Sequence, residues 1–402
     1  MSMSERLSGL PLRENVPIAL VGLGHGATHW VAASFYLLLP SMSTSLGLDY
    51  SATGVLVSVM HIAAFLANFG SGPITDITGR RVLLQVSALL IGAAALALVG
   101  LAGGLILLGG LVAVIGATNN LWHPPAISYL SGRFPEHKGW ALSIHALGAN
   151  LGDSIAPLVA GLMLISFTWE QSSVMLSLPV VAVAFLLMLG LSSGAARAET
   201  SKKPQGLAEY LSSLRDVAKD RDVLGLCIMS AFRSMSQNGL LVFLPLYLAN
   251  EMKVAPWIMG ITVSALQVGG LVASPVAGRI SDRVGRRTVV VSGLGVSTVA
   301  ILVLTFIGNE MLFVAGVSIL GFALFAVRPV VHAWIMDITP PNMGGSAVSL
   351  LFGSQTLLSI LAPTVGGMIA DEWGLTATFY ALAASMALTN LLAMRLRDKK
   401  DG

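Results

Sequence analysis

The sequence contains little charge. Asp, Glu, Lys and Arg make up 11% of its 402 residues, whereas 55% of the residues are hydrophobic. Soluble domains carry about 25% charged residues, so a chain of this length would lack the charged surface that keeps a soluble protein dissolved. The composition therefore excludes an ordinary soluble protein and predicts a polytopic membrane protein.

Cysteine and catalytic motifs are also scarce. Cys227 is the single cysteine, which excludes an internal disulfide, and its apolar neighbours offer no metal-ligand spacing. The sequence contains no Walker loop, no HExxH motif and no nucleophile motif. We therefore expect neither ATP hydrolysis nor another enzymatic activity, and no cofactor.

Long apolar runs dominate the chain instead. A bilayer core needs about 20 apolar residues per helix, and lipid offers the backbone no hydrogen-bond partners, so these runs predict helices. Twelve spans are predicted, roughly at 17–40, 51–72, 82–101, 104–130, 140–165, 173–194, 223–249, 255–277, 288–308, 311–336, 345–370 and 375–394.

Basic residues are distributed unevenly between the loops. Of the 23 Lys and Arg residues, only Lys253 falls on the predicted external side, and only Arg233 and Arg328 fall within spans. Cytoplasmic loops are enriched in basic residues, so both termini are predicted to be cytoplasmic. This topology explains the net charge of +3 without a nucleic-acid partner, and we expect a monomer in the lipid bilayer.

The two halves of the chain repeat one pattern. GPITDITGRR begins at Gly72 and GRISDRVGRR begins at Gly278, an offset of 206 residues. The repeat predicts a six-helix bundle at 1–194, a polar cytoplasmic linker at 195–222 and a second six-helix bundle at 223–402. Parallel repeats of this kind are typical of transporters.

The doubled loop, the twelve spans and the central linker resemble the major facilitator superfamily over nearly the whole chain. Within it, His25, the Trp122-His123-Pro124 stretch and the Gly148–Gly152 run are similar to the fosmidomycin-resistance type of exporter. Pro125 stands where those exporters carry a carboxylate, and Asp153 stands where they carry a small residue. The resemblance therefore implies an exporter without naming its substrate.

The resemblance also implies a cytoplasmic lock that opens and closes as the two halves rock. Asp76 would belong to it, with its charge near a helix N-terminus, and Gly79 would allow the tight turn that follows. The alternative is that these charges only set the topology. The predicted gating residues are Asp76, Arg80, Arg81, Arg133, Asp282, Arg286 and Arg287.

Ionisable residues inside spans are costly in hydrocarbon and indicate function. Asp153 could couple a proton to transport, or could form a structural ion pair. Arg233 and Arg328 could bind an anion such as a carboxylate or phosphonate, although a structural pair is equally open for Arg233.

Histidines collect on the spans that line the central cavity in the resembling fold. They could relay protons or be ordinary hydrogen-bonded polar groups; no metal site is predicted, because no carboxylate stands close to them in sequence. His145 is expected to hydrogen-bond between helices. The predicted proton-coupling residues are Asp153, His29 and His123. The predicted solute-binding residues are His25, His29, Trp30, Asn119, His123, Arg233, Gln237, Arg328, His332 and Gln355.

Prolines at His123-Pro124-Pro125 and Arg328-Pro329 are predicted to interrupt spans 4 and 10. The sequence as a whole predicts a secondary transporter of the inner membrane that exports a small organic solute, a drug or an anionic metabolite, by proton antiport. Proton-coupled uptake of an organic anion is the first alternative, and a membrane receptor that transports nothing is the second.

Overall fold

The structure is a computed structural model that describes residues 9–191, 219–339 and 344–396. Within these residues all regular structure is helical, and most of the predicted linker at 195–222 lies outside them. The helices are α1 (Leu12–Leu46), α2 (Tyr50–Thr78), α3 (Arg81–Val99), α4 (Leu105–Leu121), α5 (His123–Arg133), α6 (Lys138–Met163), α7 (Trp169–Gly190), α8 (Arg221–Asn250), α9 (Pro256–Val284), α10 (Arg286–Leu304), α11 (Glu310–Ile338), α12 (Gly344–Trp373) and α13 (Leu375–Arg395).

Ten helical segments of the described chain are long and apolar enough to cross a bilayer, with α4 and α5 counted as one segment. Together with α1 and α8 they correspond to the twelve predicted spans. The helices α1 and α8 fall outside the ten because polar side chains, among them His25, His29 and Arg233, lower their hydropathy. Large apolar side chains such as Ile106 and Phe306 are exposed, as expected for a surface that faces lipid.

Several helices extend beyond the apolar runs that predicted them. The helix α2 continues through residues 72–78, which the sequence pattern treats as a loop, because backbone hydrogen bonds do not require apolar side chains. It ends at Thr78, directly before Gly79, whose φ is 61°, and α9 ends at Val284, directly before the equivalent Gly285, whose φ is 100°. Glycine adopts positive φ without steric cost, so the predicted turn at Gly79 is confirmed.

The prolines at 124–125 and at 329 affect their helices differently. The helical hydrogen-bond pattern is interrupted at Trp122, between α4 and α5, as predicted for Pro124-Pro125, but the backbone of Trp122 keeps helical φ and ψ of −66° and −39°. The interruption predicted at Pro329 is wrong, since α11 runs through it without a break. One proline removes a single backbone donor, which a membrane helix tolerates, whereas two consecutive prolines remove two adjacent donors.

The chain forms two compact units. The first comprises Met1–Met42 and Val59–Ser201, and the second comprises Ser43–Ser58 and Lys202–Gly402. The beginning of α2 therefore packs within the second unit. There the Asp371 carboxylate accepts hydrogen bonds from the backbone N–H groups of Tyr50 and Ser51, at 2.9 and 2.8 Å, and so caps the first turn of α2.

Candidate functional site

In the first unit, α1 and α6 touch through glycines. A methyl group added at Gly148 would overlap the carbonyl oxygen of Gly22, and one added at Gly152 would overlap that of Gly26. Small residues spaced four apart let membrane helices approach closely, so the predicted packing role of Gly148 and Gly152 is supported by these contacts. The close approach brings polar side chains of both helices within hydrogen-bonding distance of each other.

A histidine cluster lies beside this glycine contact and consists of His25, His29, His123, His145 and Asp153. The Nδ1 atom of His25 donates to the carbonyl oxygen of His145 at 2.7 Å, and its Nε2 lies 3.3 Å from Nε2 of His123. The Nδ1 atom of His29 lies 3.0 Å from Oδ2 of Asp153. The rings of His25 and His145 stack with centroids 3.8 Å apart.

His123 reaches this cluster from the junction of α4 and α5. Trp122 is fully buried, and its side chain fills the space above Gly24, where an added methyl group would overlap the indole ring. The new helix α5 begins at His123 with two prolines in its first turn, where their missing N–H groups cost nothing.

Two predicted solute-binding residues of the first unit hold helices together instead. The indole N–H of Trp30 donates to the carbonyl oxygen of Leu176 at 2.8 Å, and the Asn119 amide donates to that of Thr28 at 3.3 Å. These donors already have backbone partners. That they contact the solute remains a prediction: Trp30 would do so through the face of its indole ring, and Asn119 through its amide oxygen.

In the second unit, four of the predicted solute-binding residues form an arginine cluster: Arg233, Gln237, Arg328 and His332. Arg233 is only 2% exposed, and its Nη1 donates to Oε1 of Gln237 at 2.6 Å. Arg328 lies close enough to repel both Arg233 and His332 electrostatically. Arg233 has no carboxylate partner among the described residues, so its buried charge is balanced there by no acidic side chain.

Gln355, the last predicted solute-binding residue, lies in a row of polar contacts between α8 and α12. Its amide Nε2 donates to Oγ of Ser230 at 2.5 Å, Asn238 donates to Oγ of Ser359 at 2.9 Å, and Ser359 lies 3.2 Å from Ser234. Gln355 itself is buried. The contact indicates a role in joining two helices, which the sequence could not separate from a role in the cavity.

The first predicted gating loop differs from expectation. Asp76 lies in the last turn of α2 rather than at a helix N-terminus, so the predicted stabilisation by the positive end of a helix dipole is wrong for its own helix. Asp76 is exposed and forms no ion pair with any described residue. Arg80 and Arg133 are also exposed, and the Arg133 guanidinium lies 5.8 Å from the ring centre of Phe134.

The second gating loop is tied by ion pairs. Arg286, at the start of α10, contacts Asp282 of α9 at 2.5 Å and Asp337 of α11 at 3.0 Å, while Arg287 donates to the carbonyl oxygen of Met394. Asp337 is not among the gating residues predicted from the sequence. The signal was available, because Asp337 is the first carboxylate after the tenth predicted span.

Comparison with known proteins identifies the family. The Major Facilitator Superfamily profile matches residues 21–247 and again residues 226–402. The chain belongs to the Major Facilitator Superfamily. It is 26% identical to the multidrug resistance protein MdtG of Proteus mirabilis, over 83% of this chain and 82% of the relative. It is 24% identical to MdtG of Enterobacter lignolyticus, over 92% and 90% of the two chains.

Solved structures share the major facilitator fold. A D323A mutant of the nucleoside transporter NupG aligns with a TM-score of 0.82 at 13% identity, covering 94% of this chain and 99% of that one. A bacterial homologue of the human lysosomal transporter Spinster, inward-facing and occupied, aligns with a TM-score of 0.81 at 17% identity over 96% and 98%. At these identities the likeness shows the fold alone.

Membership confirms the predicted superfamily and fold class, a twelve-helix membrane protein built as two six-helix bundles. It also makes this chain a multi-pass transporter of small solutes in a lipid bilayer. The matched family and relatives are transporters rather than enzymes. Neither the solute nor the coupling ion follows from membership.

Proposed function

We propose that this major facilitator exports a small organic solute from the cytoplasm by alternating access, in exchange for protons. It would act as a monomer in the inner membrane with both termini cytoplasmic. The relatives of this chain that are named multidrug resistance proteins support the direction of transport. The similarity of His25, Trp122-His123-Pro124 and the Gly148–Gly152 run to fosmidomycin-resistance exporters also supports export. The buried Arg233 supports a drug or metabolite that carries an anionic group.

The observation that carries proton coupling is the pair formed by Asp153 and His29, whose side chains are each 26% exposed. Both residues lie on helices that cross the membrane, where ionisable side chains are expensive and usually functional. A proton on the carboxylate removes its charge and so changes the free energy of closing the first unit around it. His123, which contacts His25, would extend the path of the proton through the cluster.

The remaining predicted residues take supporting roles in this proposal. The solute would contact the open parts of the histidine and arginine clusters as the transporter cycles. The cytoplasmic lock would use Asp76, Arg80, Arg81 and Arg133 in one half and Asp282, Arg286 and Arg287 in the other. The ion pairs of Arg286 support such a role for the second loop.

The test is growth of an efflux-deficient bacterium that expresses the full chain, challenged with fosmidomycin and a panel of anionic and apolar toxins. We expect protection from at least one compound, and we expect Asp153→Asn to abolish it while the purified variant still binds that compound. Glu136→Gln is the matched control, because Glu136 is an exposed carboxylate outside the cluster. Full protection by Asp153→Asn would remove Asp153 from the coupling mechanism.

Uptake of an organic anion is the second candidate, favoured by the buried Arg233 that lacks a carboxylate partner in the described chain. Expression would then sensitise cells to an anionic toxin instead of protecting them. A receptor that transports nothing is the third, and it predicts no change for any compound although the protein is folded and inserted.

A further inference from the structure

We propose that His25, His29 and His123 form a binding site for a late first-row divalent cation, with Zn²⁺ as the reference ion. This reverses the expectation of no metal site. The proposal goes beyond the transport function and does not depend on it, because it rests on the geometry of the cluster alone and concerns binding rather than solute movement.

The three histidines converge. One ring nitrogen from each lies within 4.8 Å of the other two, and the Nε2 atoms of His25 and His123 are 3.3 Å apart. Zinc binds histidine nitrogen at about 2.0–2.1 Å with tetrahedral angles, which places two such nitrogens about 3.3–3.4 Å from each other. Two of the proposed ligands therefore already have the separation that a shared ion requires.

In His25 and His29 the opposite ring nitrogens are held as in metal sites. A histidine that binds a metal almost always donates its other N–H to a carbonyl or carboxylate, which fixes the tautomer and the ring orientation. Nδ1 of His25 must carry its hydrogen, since its partner at 2.7 Å is the carbonyl oxygen of His145. Nδ1 of His29 lies 3.0 Å from the Asp153 carboxylate. In the neutral form of each ring, which is the form that binds a metal, this leaves the lone pair on Nε2.

A chain of hydrogen bonds between the histidines, without a metal ion, explains less of this geometry than a metal site does. It accounts for the contact between His25 and His123, but Nε2 of His29 has no hydrogen-bond partner among the described residues although its ring lies beside His25. A metal ion uses that nitrogen as its third ligand. Asp153 then has a defined task, since its negative charge orients His29 and offsets part of the charge of the ion.

The donor set selects the class of ion. Imidazole nitrogen suits Zn²⁺, Co²⁺, Ni²⁺ and Cu²⁺, whereas Mg²⁺ and Ca²⁺ prefer oxygen. Three histidines leave a fourth position for water or for an atom of a solute. The side chains of His29 and Asp153 are each 26% exposed, so this edge of the site is not sealed by protein.

The test uses the full chain, purified in detergent with a histidine-free affinity tag and stripped with a chelator. Titration with Co²⁺ should produce the visible absorption bands of a four-coordinate ion at one ion per chain, and Zn²⁺ should displace them. We expect His25→Gln, His29→Gln and His123→Gln each to weaken binding at least 10-fold. Asp153→Asn should weaken it about 10- to 100-fold, the usual effect of losing a carboxylate that orients a ligand.

The matched control is His61→Gln, because His61 bonds to the Tyr36 hydroxyl at 2.9 Å outside the cluster and its loss should leave Co²⁺ binding unchanged. If a cluster variant fails to fold, the unaltered chain still provides a readout, since Zn²⁺ but not Mg²⁺ should raise its melting temperature. Absence of both the Co²⁺ bands and this Zn²⁺ effect in the unaltered chain overturns the proposal. Equal Co²⁺ affinity in a folded variant that combines His25→Gln and His123→Gln overturns it as well.

Discussion

The two units contain side-chain clusters of different charge. In the first, the Asp153 carboxylate lies among histidines; in the second, Arg233 and Arg328 lie near each other, and no described carboxylate pairs with Arg233. Burial of an unpaired charge costs on the order of several kcal/mol. An anion that binds Arg233 would therefore lower the free energy of the second unit. This asymmetry supports an anionic group on the solute.

Loss of either arginine should therefore weaken binding of an anionic solute. Arg328→Gln and Arg233→Gln should each reduce the affinity for fosmidomycin, whose phosphonate suits a guanidinium, by about 10- to 100-fold, because hydrogen bonds to charged groups contribute about 1.5–3 kcal/mol. Affinity is measured by equilibrium binding to purified protein. Arg283→Gln removes the same charge from an exposed position near the end of α9 and should leave the affinity unchanged.

An uncharged compound of the growth panel should bind the arginine variants and the unaltered chain equally. Unchanged fosmidomycin affinity in both variants, with binding intact in the unaltered chain, would contradict the assignment of the arginine cluster to the solute.

At the level of single residues, the sequence shows which side chains are candidates for a function better than it shows which side chains they contact. Asp153 and His29 could be selected because ionisable residues in spans are unusual, but their contact depends on the register of α1 against α6, which no periodicity reveals. His145 illustrates the limit. The sequence predicts an ordinary hydrogen bond between helices, whereas its carbonyl oxygen fixes the tautomer of His25.

At the level of helices, equivalent pairs are joined by different means. The pair α1 and α6 packs through glycines, which lets the backbones touch, whereas α8 and α12 are joined by serine, asparagine and glutamine side chains. The sequence could predict the role of Gly148 and Gly152 from their spacing. It could not predict that Pro329 leaves α11 unbroken, because neighbouring helices decide whether one missing hydrogen bond is tolerated.

The glycine contact gives a prediction for α6. Gly148→Ala should force α1 and α6 apart and destabilise the protein by about 1–3 kcal/mol, the usual cost of overpacking. Thermal unfolding in detergent should show a lower melting temperature, and activity should fall because His29 and Asp153 no longer meet. Gly139→Ala is the matched control on the same helix, since nothing lies within 4 Å of a methyl group there. Equal melting temperatures would show that this contact adapts without cost.

At the level of the whole molecule, hydropathy and the positive-inside pattern predict the spans, and the repeat predicts the duplication. They do not reveal how chain segments are shared between the units. The helix α2 begins in the second unit, where Asp371 caps it, and continues in the first from Val59 onward. A transporter that cycles by moving its units must therefore release this cap or bend α2.

Loss of the cap should make the beginning of α2 more mobile. The chain is suited to the measurement, because Cys227 is its only cysteine and Cys227→Ala removes the background. Ser58→Cys then adds one reporter on α2, at a position that is 6% exposed and whose hydroxyl donates to the carbonyl oxygen of Ile360 in α12. In this background a thiol reagent reacts only when α2 separates from α12.

Asp371→Ala should raise the rate of this reaction about 2- to 30-fold, because removal of a helix cap costs about 0.5–2 kcal/mol. Glu372→Gln is the control, since Glu372 is the neighbouring exposed carboxylate and forms no hydrogen bond with α2 in the described chain. If both variants accelerate labelling equally, the effect is one of charge rather than of the cap. If neither does, glycine contacts such as that of Gly54 with the Pro363 carbonyl hold α2 on α12 without Asp371, and transport must proceed by bending α2.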